Sequence, residues 1–140
     1  MAKVVVDANM VISAAFGGKP LEAVVRALED HEVYLSEAIA QELLGVLSAL
    51  SKKLSKDQIS FIHEKIQQLL TLATHISPAT RVVLSRDPKD DHYLSVCKEI
   101  GAEFLVTGDT DLLSISHDKL KARGVSCKVG SPQEFLEYVS

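Results

Sequence analysis

Short apolar runs alternate with helical periodicities along this chain, and the first run shows how far that alternation restricts the fold. Lys3 to Val6 holds three consecutive valines and stops at Asp7-Ala8-Asn9. A strand with one face in water would alternate apolar and polar residues. A run that does not is buried on both faces, as in parallel sheets covered by helices. The next segment has the opposite period: Leu21, Val24, Val25 and Leu28 follow the i, i+3, i+4, i+7 spacing of an amphipathic helix entered through Gly17, Gly18 and Pro20.

The alternation continues to the end of the chain. Val33 to Leu35 reads as a second strand, and Ser36 then caps a helix carrying Ile39, Leu43, Leu44, Val46, Leu47 and Leu50. Ser55 with Gln58 forms a capping box ahead of a stripe of Ile59, Ile62, Ile66, Leu69 and Leu70. His75 to Pro78 and Val82 to Leu84 are short extended pieces. A charged loop, Arg86 to Asp91, leads into a helix with Tyr93, Leu94, Val96, Cys97 and Ile100 that stops at Gly101. Phe104 to Val106 is the next strand, followed by a short helix over Asp118 to Arg123, a strand over Val125 to Val129, and a last helix. Ser131, Pro132 and Glu134 announce that helix with two start signals. No repeat or linker interrupts residues 1 to 140, so the chain reads as a single α/β domain, a three-layer α/β/α sandwich around a mostly parallel sheet.

Composition narrows the function classes. Of 140 residues, 46% are hydrophobic, and fifteen Lys and Arg stand against nineteen Asp and Glu for a net charge of -4. A polyanion-coating protein would have the opposite balance. Met1 to Asp7 does not resemble an export signal, and no apolar run approaches the roughly 18 residues that span a bilayer, so a cytoplasmic protein is expected. Cys97 and Cys127 have no closely spaced Cys or His and read as two buried thiols.

In parallel sheets the site lies beyond the carboxyl ends of the strands, and this sequence puts acids there: Asp7 after the first strand, Asp109 and Asp111 after Val106. Asp91 opens the helix leading into that strand, and Glu42 sits among the apolar residues of an earlier helix. Each has a plainer reading: Asp7 as an Asx turn, Glu42 as a solvated helix residue, Asp91 as an N-cap, Asp109 and Asp111 as turn formers. Together they crowd like charges at one edge, which costs free energy unless a cation joins them, and hard carboxylate oxygens select Mg²⁺ or Mn²⁺. Such ions serve phosphodiester hydrolysis. His92, beside a helix start, reads as a surface residue.

The order and spacing of Val4-Val5-Val6-Asp7-Ala8-Asn9, Glu42-Leu43-Leu44, Asp87-Pro88-Lys89-Asp90-Asp91-His92-Tyr93-Leu94, Val106-Thr107-Gly108-Asp109-Thr110-Asp111-Leu112-Leu113 and Pro132-Gln133-Glu134-Phe135-Leu136 resemble the PIN-domain ribonucleases, among them the toxins of bacterial and archaeal toxin–antitoxin pairs. The resemblance implies a PIN-like fold and catalytic, metal-binding carboxylates at Asp7, Glu42, Asp91 and Asp109, with Asp111 a more variable fifth acid. Asn9 and Thr107 would orient them. Either Asp90 or Asp91 fits the third place; Asp91 is preferred because Leu94 and Ser95 follow it in helical register, whereas Asp90 would point away. Lys19, Arg86 and Lys89 are candidate RNA-phosphate contacts.

The function expected is a Mg²⁺- or Mn²⁺-dependent endoribonuclease acting on RNA. As a toxin it would have a small antitoxin partner, and the resemblance makes a homodimer usual. Two alternatives stand beside it. One is a PIN-like module that binds RNA or protein without cutting. The other is an aspartyl phosphotransferase or phosphatase with Asp7 as nucleophile, disfavoured because Asn9 occupies the place where those families put a second acid. Setting the five site acids aside leaves fourteen acids against fifteen bases, so the negative balance belongs to the site and is not a general coating.

Overall fold

The structure, a computed structural model, describes residues 1–48, 54–84 and 90–140. Five strands, β1 (Lys3–Val6), β2 (Glu32–Leu35), β3 (Thr74–His75), β4 (Phe104–Val106) and β5 (Lys128–Gly130), pair in the order β3-β2-β1-β4-β5, and every pairing is parallel. Val4 and Val5, whose side chains leave opposite faces of the pleat, are both fully buried, so β1 is covered on each side as its unbroken valine run predicts. Of the helices that provide the cover, α2 (Gly18–Asp30) packs against α8 (Pro132–Val139), while α5 (Asp91–Ile100) lies along β1, β2 and β4. Phe104 and Leu105 of β4 are likewise fully buried, each worth about 1.5–3 kcal/mol relative to exposure.

Strand order decides where a site can form. The chain lays β2 and β3 to one side of β1, then crosses back to place β4 and β5 on the other, so the reversal falls between β1 and β4. A crevice opens at such a point beyond the carboxyl ends of the two strands. Val6 pairs with Val106 in the last register position, which sets Asp7 and Thr107 side by side where the strands end.

Local signals produced most of the elements. In α4 (Lys56–Leu72), Ser55 Oγ accepts from Gln58 N and the Gln58 side chain accepts from Ser55 N, the reciprocal box read from the sequence. Ser131 and Glu134 make the same box at α8, with Pro132 in the first turn. The helix α5 ends on Gly101 in the left-handed conformation, φ +63°, and Ala102 N then returns to Cys97 O. In α3 (Glu37–Ser48), Ile39, Leu43 and Val46 face the core while Leu44 stays 44% exposed; Leu50 and the side chain of Leu47 lie outside the described residues. Cys97 and Cys127 are buried free thiols, as expected.

Several expectations change. The polar residues after β1 lead at once into a one-turn helix, α1 (Met10–Ala14), and α2 begins at Gly18 with Pro20 inside its first turn, where a missing N–H costs nothing. A second one-turn helix, α6 (Thr110–Leu113), follows β4, and α7 (His117–Ala122) starts one residue early because Ser116 caps it. The last strand is Lys128–Gly130 and not Val125–Val129: Val125 N is taken by Leu120 O at the close of α7, so the ladder starts only at Lys128. Val82 to Leu84 joins no strand, since its N–H groups are spent on side chains of α5. Among the described residues no helix is long and apolar enough to cross a membrane.

Candidate metal centre

Asp7 sits at the strand reversal, 3% exposed, its N–H donating to Val106 O of β4 at 2.9 Å. One carboxylate oxygen, Oδ1, accepts from Asn9 N at 3.0 Å, closing an Asx turn; the other, Oδ2, accepts from the hydroxyl of fully buried Thr107 at 2.8 Å. Thr107 Oγ1 in turn accepts from Asp109 N at 3.0 Å, and Asp109 Oδ1 accepts from Asp111 N at 2.8 Å, capping α6. A single chain of hydrogen bonds thus runs from the end of β1 to the first turn of α6. Burial pushes the Asp7 carboxyl above its ordinary pKa; the Asn9 N–H and Thr107 hydroxyl offset part of this, Glu42 nearby raises it further, and Tyr93 lowers it.

Glu42, on α3, is held by two neighbours from the first turn of α5. Tyr93 donates its hydroxyl to Oε2 in a short hydrogen bond, and His92 Nε2 lies 2.7 Å from Oε1. The same Tyr93 oxygen accepts from Ala8 N at 3.0 Å, so one buried phenol ties α3 and α5 to the end of β1. Burial and the adjacent Asp7 and Glu42 drive its pKa well up, which keeps it a proton donor. The His92 and Tyr93 rings lie 4.4 Å apart. Neither role was expected: Tyr93 counted as an apolar helix position and His92 as a surface residue. A signal was available, because a buried tyrosine hydroxyl needs a partner and the acid-rich strand ends are where one would be found.

Carboxylate oxygens of Asp90, Asp109 and Asp111 lie within 4.8 Å of one another, in the one such group of metal-ligating side chains among the described residues. Of the two adjacent acids it is Asp90 that joins this group, although it was expected to point away. Asp90 occupies the N-cap of α5, one residue ahead of the first helical turn, and its carboxylate meets the loop after β4. Asp91, fully buried, faces elsewhere: its Oδ1 accepts from Leu84 N at 3.1 Å. Next to it, Ser95 Oγ accepts from Val82 N at 2.9 Å and donates to Asp91 O. Asp91 and Ser95 together fasten residues 82–84 to α5.

The remaining candidates separate in the same way. Thr107 touches Asp7 directly, whereas Asn9 does so through its backbone, its side chain being exposed. Lys19 stands in an exposed ion pair with Glu22 at 3.7 Å. Arg86 and Lys89 lie outside the described residues, as do Asp87 and Pro88.

Residues 3–111 match the family model of the PIN domain. The chain belongs to the PIN domain family. Among solved structures, this PIN domain protein is similar to VapBC2 from Rickettsia felis, crystallised bound to a DNA fragment from their promoter, with a TM-score of 0.55 and 14% identity over 92% of this chain and 98% of that one. At that identity the likeness concerns the fold, the five-stranded parallel sheet with its helices. No curated protein matches the sequence. The family match ends at Asp111, so the centre lies inside it while α7, β5 and α8 follow beyond.

Proposed function

We propose that this PIN domain protein is a metal-dependent endoribonuclease that hydrolyses RNA phosphodiester bonds and serves as the toxin of a toxin–antitoxin pair. The observation that carries the reading is the meeting of Asp90, Asp109 and Asp111 at the strand reversal, next to Asp7, which accepts from the Thr107 hydroxyl, and Glu42, which accepts from the Tyr93 hydroxyl. Oxygen donors this close suit a hard divalent cation such as Mg²⁺ or Mn²⁺; Mg²⁺ binds oxygen at about 2.0–2.1 Å. Asp90, Asp109 and Asp111 would hold it, with Asp7 and Glu42 adjoining. When bound, such an ion stabilises charge on the phosphate and lowers the pKa of water beside it.

The chain's own residues have separate tasks in this reading. Thr107 and the Asn9 N–H keep Asp7 oriented and favour its ionised form against the effect of burial. Tyr93 and His92 fix both oxygens of Glu42. Asp91, which the sequence offers as a metal ligand, acts instead through the 82–84 segment that it anchors. The antitoxin is part of the proposal, supported by the likeness to VapBC2; a homodimer is proposed with it from the resemblance to the toxins alone.

Cleavage of labelled single-stranded RNA in Mn²⁺, compared with EDTA and with Asp109→Asn, tests this. Cleavage should require the cation and fall to background in the variant while its circular dichroism stays that of the parent. Equal cleavage by parent and variant would reject the assignment; saturable RNA binding without cleavage in Mn²⁺ would favour a non-catalytic module.

A further inference from the structure

A groove lies next to the acid cluster and shares one wall with a second. The first, 580 Å³, runs from Leu84 and Asp111 past Ser114 to Lys119 and Arg123. The second, 440 Å³, continues from Arg123 and Ala122 to Lys98 and Arg81. Ala122 and Arg123 line both, so the two adjoin along one path, the first beginning at an acid of the centre and the second lying further out, with the Arg123 side chain between them. Residues 81–84 form one side along the whole path, and α7 with its C-cap forms the other.

The charge of this path is one-sided. Arg81, Lys98, Lys119 and Arg123 are all exposed, and among the described residues Asp111, at the inner end, is the one acid that lines either groove. Among the described residues the ion pairs are Lys19–Glu22, Arg26–Asp30 and His92–Glu42, so none of these four cations is neutralised by a carboxylate within 4.0 Å. In a chain of net charge -4, four uncompensated cations in a row are a local reversal of sign.

The path is also held in shape. Asp91 and Ser95 bind the N–H groups of Leu84 and Val82 from behind, and Arg123 Nη1 donates across to Val83 O at 3.4 Å. Lys98 lies over Gly124, its Cε 3.1 Å from where a Cβ would stand, and the backbone there, with φ at +79°, favours glycine. Lys119 and Arg123, four residues apart, share one side of α7, and both lie beyond the residues that the family model matches.

We infer that this groove carries the backbone of the single-stranded RNA substrate, its phosphates meeting Lys119 and Arg123 first and Lys98 and Arg81 further out. The inference rests on the nuclease reading for the identity of the polyanion, and it replaces Lys19 as the principal phosphate contact. Cations that meet phosphates release counterions, so the dependence of binding on salt counts them.

The test is equilibrium binding of a fluorescein-labelled, unstructured oligoribonucleotide in EDTA, over a series of salt concentrations. Lys119→Gln/Arg123→Gln should weaken binding and lower the slope of log K against log salt by about 1.4, roughly 0.7 per cation lost. Arg81→Gln/Lys98→Gln should do the same. Lys119→Arg/Arg123→Lys should keep the parent slope, which separates charge from folding. The comparison is Lys3→Gln/Lys128→Gln, which removes equal charge at the amino ends of β1 and β5, the opposite edge of the sheet; its slope should stay at the parent value. Equal losses from the groove pair and the far-edge pair, or the parent slope in the groove pair, overturn the groove. Because binding is read without metal, failure of cleavage with the slopes as expected rejects the nuclease alone, and active cleavage with unchanged slopes rejects the groove alone.

Discussion

At the residue scale, Asp7 stores a conflict between folding and function. Burial raises its pKa, so the native state binds this proton more tightly than the unfolded chain does. Stability on its account falls as pH rises from the ordinary value of 3.8 through the raised folded value, and the loss persists above it. Asp7→Asn removes the charge, and melting in EDTA should show the variant with a higher Tm than the parent at pH 7 and a flatter pH profile between pH 4 and 7; a lower Tm at pH 7 would contradict this account. Sequence brought out Asp7, Asp109 and Asp111 because strand ends are legible from apolar runs. It preferred Asp91 to Asp90, whereas the carboxylate that meets Asp109 and Asp111 is that of Asp90. The two are adjacent and chemically identical, and which one meets the cluster depends on α5 starting at Asp91, where no side-chain cap bond forms and Tyr93 and Leu94 are buried.

At the element scale, the structure follows reciprocal local signals closely and single-turn ones poorly. Both capping boxes form as read, because two backbone donors and two side chains satisfy each other within four residues. Ser131→Ala, which removes one half of the box at α8, should cost about 1 kcal/mol, measured by urea denaturation. Its partner Glu134 has a lowered pKa from the Ser131 N–H, so that contribution is present above the ordinary value of 4.5 and is lost as pH falls through the depressed folded value. Neither α1 nor α6 was legible. Five residues such as Met10–Ala14 are too few to display a period of 3.6, and their helical form is imposed by the turn off β1 and by burial of Met10, Val11 and Ala14. The 82–84 segment misled for the converse reason: its valines suit a strand, yet the donors a ladder would need are claimed by Ser95 and Asp91.

At the scale of the whole molecule, charge is sorted by location. Acids gather at the strand reversal and uncompensated bases along the adjoining groove, an arrangement that a net figure of -4 conceals. A cation bound only by the native state adds stability by mass action, about 2.7 kcal/mol at a hundred times its Kd, or roughly 5–10 °C in Tm for a chain of this size. Differential scanning calorimetry with and without Mn²⁺ should show a rise of this order in the parent and none in Asp109→Asn. The sheet order carries a different consequence. β1 and β4 are neighbours in space yet Val4 pairs with Phe104, a hundred positions on. Closing that contact is slow, and on a ribosome it waits until β4 has been synthesised. The acids at the reversal therefore come together only after β4 and the turn that follows it have been made, so a nascent or truncated fragment ending before β4 holds Asp7 and Glu42 but lacks the centre they border.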